Sequence, residues 1–337
     1  MKNKNLFCFI ILTFLMLINE FSFPQGVSYK GTSAANFLKI NLSAKTAGMG
    51  ESDITYAEDA SCLFYNPGGI SRLNSASVSF SYTNWLVQTS LGHIALALPL
   101  EFGTVGFDVT YFSSGDIEET TLLKQDGTGR VISASDVAIG LSFARNLTDR
   151  FSVGIKAKYV QENLASVSAS AFAFDIGSIF ETSLINSFKI GISLSNFGGA
   201  MEFTGNDLLV TNVVPGSPTN KQVPGVLQTE DWKLPLFFKI GVGSMIIEQN
   251  DFNLLLAYTL TDSRDYSARH NVGGELEFLN IFRLRGGYRF NYDEATFSAG
   301  AGVKISSSSI GTIFFDYAFT DFGNLKNINQ ISLSINF

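Results

Sequence analysis

The last segment of the chain constrains the fold more than any other feature. Residues 331–337 read Ile-Ser-Leu-Ser-Ile-Asn-Phe, so apolar and polar residues alternate without a break. Alternation with a period of two places the apolar residues on one face of a β-strand and the polar residues on the other. In a transmembrane barrel the apolar face meets lipid and the polar face meets the lumen. The segment is typical of a barrel-closing strand, although the last strand of an ordinary antiparallel sheet would alternate in the same way.

The same alternation recurs along most of the chain, and charged residues make up only 16% of it. An even number of strands leaves both ends of a barrel on one side. The sequence therefore predicts an all-β membrane protein, a 14-stranded antiparallel transmembrane β-barrel over residues 76–337 with periplasmic termini. The fourteen predicted strands are 76–84, 91–98, 103–114, 135–146, 150–162, 169–182, 188–195, 236–245, 251–259, 269–279, 281–290, 295–306, 309–319 and 328–337.

The connections between these strands differ in length on the two sides of the predicted barrel. Those on the periplasmic side are short, whereas most on the other side are long. Short periplasmic turns and long extracellular loops are typical of bacterial outer-membrane barrels. The sequence thus predicts an outer-membrane location, with lipid around the wall. The predicted extracellular loops are 115–134, 161–168, 196–235, 260–270 and 320–327.

The N-terminus has the pattern of an export signal over residues 1–25. Lys2 and Lys4 precede an apolar run over 6–18, which is shorter than the roughly 20 residues that a membrane helix needs. Cleavage near residue 25 removes Cys8 and leaves Cys62 without a disulfide partner. It also removes two basic residues of 23 and one acidic residue of 30, which leaves a net charge of −8. That charge disfavours nucleic acid as a partner.

Residues 26–75 do not alternate, and we expect them to form a partly helical hatch within the lumen. A helix is predicted over 35–47 with Ser33 as its cap, and a second helical turn over 59–65. Asp59 is the expected cap of that turn, and Pro67 with the glycines after it is expected to end it. A compact apolar segment ahead of a closed barrel has few places to be buried except the lumen.

The apolar phase of the strands turns several charged residues toward the lumen, because a charge facing lipid costs about 2–4 kcal/mol near the midplane. An acidic row on the strand 269–279 faces a basic row on the next strand, across one antiparallel pair. These charges fit either a ligand-selective pore or a filled lumen in which they are paired, and we favour the second. The predicted lumen charges are Lys156, Lys158, Glu275, Glu277, Arg283, Arg285 and Arg289.

The residues that usually carry enzyme chemistry are few. His93 and His270 fall on different predicted strands, and Cys62 has apolar neighbours that favour an inert, buried thiol. The run Asp-Gly-Thr-Gly at 126–129 is typical of a turn and lacks the carboxylate spacing of a calcium loop. We therefore predict no catalytic residues, no cofactor and no metal site.

A series of short motifs over residues 31–245 carries a family resemblance. They include Gly-Thr-Ser at 31–33, Ala-Gly-Met-Gly at 47–50, Asn-Pro-Gly at 66–68, Gly-Asp-Ile-Glu at 115–118 and Asn-Phe-Gly at 196–198. Together they resemble the PorV/PorQ family, within the wider group of FadL-like outer-membrane barrels. The resemblance implies a fourteen-stranded barrel with an N-terminal hatch. It also implies that a hatch motif of Asp59, Asn66, Pro67 and Gly68 forms the turn that locks the hatch.

The resemblance further implies a role in type IX protein secretion. The expected partners are secretion-system components and secreted cargo proteins with C-terminal signal domains, which the barrel would receive and help to attach. The loop 196–235 is long and contains four prolines, which fits a binding element or a disordered segment. The alternative is a FadL-like channel for hydrophobic small molecules, which needs an apolar lumen and a break in a strand. The third predicted strand has no proline, and most inward positions are polar, small or charged.

Overall fold

The computed structural model describes residues 31–182, 187–213 and 222–337. The predicted signal peptide, residues 1–25, lies outside these ranges. Fourteen antiparallel strands close into one barrel, because the first wall strand, Ser77–Asn84, pairs with the last, Asn327–Asn336, and the fold predicted from the sequence is confirmed. The first seven wall strands are β1 Ser77–Asn84, β2 Ser90–Leu100, β3 Gly103–Glu118, β4 Val131–Thr148, β5 Phe151–Leu164, β6 Val167–Thr182 and β7 Phe188–Gly198. Five short strands outside the wall follow in the chain, and the last seven wall strands are β13 Phe237–Gln249, β14 Phe252–Ser263, β15 Tyr266–Phe278, β16 Phe282–Phe290, β17 Phe297–Ser307, β18 Gly311–Asp321 and β19 Asn327–Asn336.

The alternation in sequence becomes an apolar outer face and a polar inner face. In β16, Phe282, Leu284, Tyr288 and Phe290 are exposed on the outside, and the three arginines between them are buried on the inside. Rows of this kind form the lipid-facing surface of outer-membrane barrels. Within the described ranges, no helix has the length and apolar character needed to cross a membrane.

Several strands continue well beyond the membrane on the extracellular side. β3 has 16 residues and β4 has 18, whereas about 9–11 suffice to cross a bilayer. The predicted loops 161–168 and 260–270 were therefore wrong, since only residues 165–166 and 264–265 separate the paired strands there. The loop 115–134 shrinks to 119–130 in the same way. Outside the bilayer both faces of a strand can be polar, so the alternation that marks strands in the sequence is lost.

The rim opposite these extensions carries the short turns and the two ends of the wall. The backbone N–H of Phe337 donates to the carbonyl of Ala76 at 2.9 Å, which joins the ends at that rim. The short turns identify this rim as periplasmic. The described hatch begins at the opposite rim, where Ser33 contacts Asp265 in the turn between β14 and β15. The chain therefore runs down through the lumen before it enters the wall.

The hatch is less helical than the sequence predicts. The helix expected over 35–47 is instead a 3₁₀ helix, Asn36–Lys39, and a five-residue α-helix, Ala44–Gly48. Between them the side chain of Asn41 accepts a hydrogen bond from the Ser43 N–H at 2.8 Å, and this local bond replaces a helical turn. Two further 3₁₀ helices follow, Ala60–Leu63 and Pro67–Arg72. Pro67 thus begins a helix, as its fixed φ and missing N–H allow, and does not end one.

The apolar core lies in the lumen, between the hatch and the wall. Toward the extracellular end, Phe37, Leu38 and Leu42 of the hatch pack against Val160 of β5 and small wall residues. Toward the periplasmic end, Leu63 and Ile70 of the hatch belong to a second buried cluster. The hatch therefore occupies the lumen at both levels.

The connection between β7 and β13 is folded in the described residues. It contains the short strands β8 Ala200–Met201, β9 Thr204–Gly205, β10 Leu209–Val213, β11 Gln222–Val226 and β12 Trp232–Lys233. β9 pairs with the extracellular end of β6, and β8 pairs with β12. β10 and β11 form a separate hairpin. We call residues 199–236 the long loop.

Candidate functional site

Asn66 attaches the hatch to the periplasmic half of the wall. Its amide nitrogen donates to the carbonyls of Ile54 at 3.0 Å and Ser178 at 3.1 Å, and its amide oxygen accepts from the Gly68 N–H at 3.1 Å. One buried side chain therefore joins two parts of the hatch to strand β6. Asp59 acts within the hatch, where its carboxylate caps the 3₁₀ helix by accepting from the Ser61 N–H at 2.8 Å.

Two wall glycines make room for the turn at Asn66, Pro67 and Gly68. A Cβ added at Gly154 would lie 2.5 Å from the carbonyl carbon of Pro67. A Cβ added at Gly177 would lie 2.1 Å from the amide oxygen of Asn66. The hatch backbone can approach the wall this closely only because both positions lack a side chain. Sequence reasoning missed this role, although glycine at inward positions of β5 and β6 was a readable signal.

All seven predicted lumen charges lie in the lumen with a partner of opposite charge. Some pairs join neighbouring strands, some join strands with one strand between them, and others join the wall to the hatch. The pairs are Lys156–Asp108 at 2.6 Å, Lys158–Asp175 at 2.8 Å, Arg283–Glu277 at 2.7 Å, Arg285–Glu275 at 2.5 Å, Arg285–Asp316 at 2.6 Å, Arg283–Glu58 at 2.9 Å and Arg289–Glu51 at 3.3 Å. This arrangement supports the filled-lumen interpretation.

Glu58 of the hatch lies between cations of the wall and of the hatch itself. Its carboxylate accepts two hydrogen bonds from Arg283 at 2.9 and 3.1 Å, and it lies 3.1 Å from Nζ of Lys45. Burial by itself raises the pKa of Glu58, but the charges of Arg283 and Lys45 hold that pKa well below its usual range. Glu58 is therefore an ionised contact between hatch and wall.

A buried group around Asp108 was not predicted from the sequence. Besides Lys156, the Asp108 carboxylate has Nε2 of His93 at 3.5 Å, and His93 is 2% exposed. The Lys156 ammonium also donates to the hatch carbonyl of Leu63 at 3.3 Å. The histidine that seemed isolated in sequence thus belongs to a cluster that joins β2, β3 and β5 to the hatch. Such contacts depend on the register of nearby strands and on the position of the hatch, and they leave no local signal in the sequence.

The hatch is also attached at the extracellular rim. Asp265 accepts a hydrogen bond from the Ser33 hydroxyl at 2.7 Å and pairs with Lys39 at 2.5 Å. The Ala34 N–H donates to the carbonyl of Lys233 in the long loop at 3.0 Å. Through these contacts the hatch connects the turn between β14 and β15 to the long loop.

The two arms of the long loop are buried against the hatch, and the hairpin between them is exposed. Met201 and Leu234 are 2% and 4% exposed and belong to the same cluster as Phe37 and Leu38. The side chain of Thr229 bonds both the N–H and the carbonyl of Phe203 at 3.0 Å, which closes the neck of the hairpin. Beyond the neck, the large apolar residues that are exposed, among those that the structure describes, are Leu209, Val223, Val226 and Leu227.

The described residues hold no cluster of three or more histidine, cysteine or acidic side chains arranged for a metal. Cys62 is a buried free thiol in the hatch, and burial raises its pKa well above the usual range. The thiol therefore stays protonated and unreactive at neutral pH.

Comparison with known proteins decides the family. The family described as "Type IX secretion system protein PorV" matches residues 27–220, which is more than half of the chain. The chain belongs to the PorV family. PorV is by its description a type IX secretion protein, and the predicted resemblance is confirmed. No curated protein matches the chain.

Solved structures similar to this PorV family member show the same fold at low identity. They include the TodX monoaromatic hydrocarbon channel with the deltaS2 mutation, 11% identical, covering 88% of this chain and 99% of its own, with a TM-score of 0.59. The CymD monoaromatic hydrocarbon channel is 12% identical and covers 88% and 98%, with a TM-score of 0.58. A Pseudomonas aeruginosa FadL homologue is 11% identical, with the same coverage and a TM-score of 0.55. The barrel thus shares its fold with these channels.

Proposed function

We propose that this protein is a non-enzymatic component of type IX secretion that receives secreted cargo proteins at the cell surface and helps to attach them. The family supports the secretion role. The observation that carries the finer proposal is the long loop, whose arms are fixed to the hatch while its hairpin stands free on the extracellular side.

The hairpin formed by β10 and β11 offers two means of binding a folded protein. In the described residues these two strands pair only with each other, so each has a free edge. A free edge can accept a strand of a partner through backbone hydrogen bonds. The exposed side chains of Leu209, Val223 and Val226 add apolar contacts beside those edges.

The test replaces residues 206–228 with a four-residue Gly-Ser linker, which keeps the buried arms at Met201 and Leu234. A matched control shortens another extracellular connection, residues 120–129 between β3 and β4, to a turn. Both variants should keep heat-modifiable migration on gels, because a shorter loop costs no more closure entropy. We expect surface attachment of secreted cargo to fail only in the long-loop variant. Normal attachment in that variant would overturn the proposal.

A FadL-like channel for hydrophobic small molecules remains the competing function. Two of the three structural neighbours described above are called monoaromatic hydrocarbon channels. The contacts of β3 disfavour it here, since β3 pairs with β2 continuously from Gly103 to Ser113, with no break at membrane depth. Impaired growth on hydrophobic compounds in the long-loop variant, with cargo attachment intact, would favour the channel.

A further inference from the structure

The hairpin of the long loop is joined to the barrel wall just before its own strands begin. β9 extends the edge of β6 by two residue pairs, the second of which joins Gly205 to Val167. The N–H of Asn206 then donates to the carbonyl of Ser166 at 3.2 Å. The chain that leads into the hairpin therefore runs along the end of β6 and reaches the turn between β5 and β6.

The carboxylate of Asp207 fastens this segment to two neighbouring connections of the wall. One of its oxygens accepts a hydrogen bond from the N–H of Ser166 at 3.1 Å. The same oxygen lies 3.7 Å from a guanidinium nitrogen of Arg130. Arg130 in turn donates to Glu119 at 3.3 Å within the connection between β3 and β4. A single side chain at the base of the hairpin thus contacts both the turn between β5 and β6 and the connection before β4.

The bond from Ser166 should matter more than the ion pair with Arg130. The two side chains of the ion pair are 49% and 43% exposed, and exposed pairs contribute little to stability because water and salt screen them. A hydrogen bond from a backbone N–H to a carboxylate is charge-assisted and stronger than one between neutral groups. Asp207→Asn keeps an oxygen that can accept this bond, whereas Asp207→Ala removes the acceptor.

Gly205 lets the segment come this close to the turn. Its φ is +148°, a backbone conformation that residues with a side chain rarely adopt. A Cβ at this position would lie 2.2 Å from the carbonyl oxygen of Ser166 and 2.8 Å from Cα of Val167. The turn is itself held, because the N–H of Ala165 donates to the carbonyl of Ser133 in β4 at 3.1 Å. A side chain at position 205 must therefore push the base of the hairpin away from the wall.

The base continues directly into the hairpin. The segment Asn206–Leu208 forms a short 3₁₀ helix, and the first cross-strand pair of β10 and β11, Leu209 with Val226, follows it. Only Leu208 separates Asp207 from that pair. Little freedom therefore remains for rotation between the base and the two free strand edges.

We propose that Gly205 and Asp207 are positioning residues for cargo docking, which hold the hairpin of β10 and β11 in one direction relative to the wall. The inference rests on the proposed function of the long loop. A hairpin that swings freely loses orientational freedom when a partner docks on it, and this loss weakens binding. A hairpin fixed at its base presents its edges already aligned, and neither residue has to touch the cargo.

The direction of the hairpin is measured as a distance by double electron–electron resonance on the protein purified from the outer membrane in a maltoside detergent. Spin labels are attached at Gln222→Cys in β11 and at Asn84→Cys at the extracellular end of β1, in a Cys62→Ser background. We expect one narrow distance distribution in the labelled parent protein and in its Asp207→Asn variant. Gly205→Ala and Asp207→Ala should lose the narrow distribution.

Two variants in the same loop are matched controls. Gly199→Ala adds a Cβ that meets nothing within 4 Å, and Asp231→Ala removes an exposed carboxylate away from the base of the hairpin. Both should keep the narrow distribution. Heat-modifiable migration and the thermal unfolding of the barrel should be the same in all variants, so a changed distance reports the direction of the hairpin and not a loss of fold.

Surface attachment of secreted cargo in cells is the second readout. Gly205→Ala and Asp207→Ala should each slow it about fivefold to tenfold, the equivalent of roughly one hydrogen bond, and Asp207→Asn should attach cargo as wild type does. An unchanged distance distribution in both variants would overturn the positioning role whatever happens to the cargo. Normal attachment with a changed distribution would also overturn it, and the replacement of residues 206–228 then decides the proposed function separately.

Discussion

Replacing Gly177 by Ala should release the periplasmic half of the hatch. The new methyl group would lie 2.1 Å from the Asn66 amide oxygen and 2.7 Å from Cδ of Pro67. Neither atom can move freely, because Asn66 is buried and bonded to Ile54 and Ser178, and the proline ring is rigid. The hatch must therefore shift away from β6.

The size of the effect follows from these contacts. Overpacking costs about 1–3 kcal/mol, and a lost hydrogen bond about 1 kcal/mol. Displacing the turn at Asn66 should destabilise the closed hatch by about 2–4 kcal/mol, which raises the opening equilibrium roughly 30-fold to 1,000-fold. The wall strands keep their own hydrogen bonds, so the barrel should stay folded.

Cys62 reports this opening directly. It is the one cysteine left after the predicted signal cleavage, and it is 0% exposed in the hatch. We expect maleimide labelling of Cys62 at neutral pH to be slow in wild type and faster in Gly177→Ala by the factor above. Channel recordings in planar bilayers should show open events in the variant that wild type lacks.

Gly286→Ala is the matched control, because a Cβ there meets nothing within 4 Å. It should label as slowly as wild type. Slow labelling and a closed pore in Gly177→Ala, with Gly286→Ala the same, would refute the reasoning that close backbone packing at Gly177 holds the hatch.

Three further predictions concern the ion pairs. Glu58→Gln should lower the free energy of unfolding at pH 7 by about 1–3 kcal/mol, measured by thermal unfolding in detergent. Despite burial, Arg283 and Lys45 hold the pKa of Glu58 low. The stability that Glu58 contributes is therefore fully present above its unfolded-state pKa and is lost only as the pH falls through its folded-state pKa. A stability difference between variant and wild type that is as large in strong acid as at pH 7 would contradict this. Lys156→Met leaves the buried Asp108 with His93 as its remaining neighbour at 3.5 Å and should reduce the free energy of unfolding in detergent by about 3 kcal/mol. Lys156→Met with Asp108→Leu should recover part of the loss in a guanidinium titration. Asp265→Asn weakens the contacts to Ser33 and Lys39 and should speed proteolysis within residues 31–40, whereas Asp262→Asn on the same hairpin should not.

The wall could be predicted from the sequence because its signal is local. In each strand that crosses the bilayer, apolar and polar residues alternate. A charged residue such as Arg285 shows which face points into the lumen, because a charge cannot face lipid without a large cost. The ends of strands could not be predicted where they leave the bilayer, as the extension of β5 to Leu164 shows. The lipid constraint stops at the interface, and a polar strand and a polar loop then look alike.

The contacts of the hatch could be predicted only in part. Asn66 and Asp59 were identified through the family resemblance, but their bonds to Ser178 and Ser61 depend on the folded geometry. The helix predicted over 35–47 failed because the segment crosses the lumen and its side chains meet the wall on several sides. Packing against a surrounding wall overrides the weak local preference for a helix.

The hatch is attached to the barrel at both rims, and this matters for how a barrel with a filled lumen could take part in secretion. At the periplasmic end the hatch is held by Asn66, and at the extracellular end Ala34 bonds the long loop at Lys233. Under the proposed function, a cargo protein bound at the hairpin would therefore pull on the hatch, which is held by buried ion pairs such as Glu58 with Arg283. The proposed docking element would then have a rigid base, and binding at its hairpin would need no opening of the lumen.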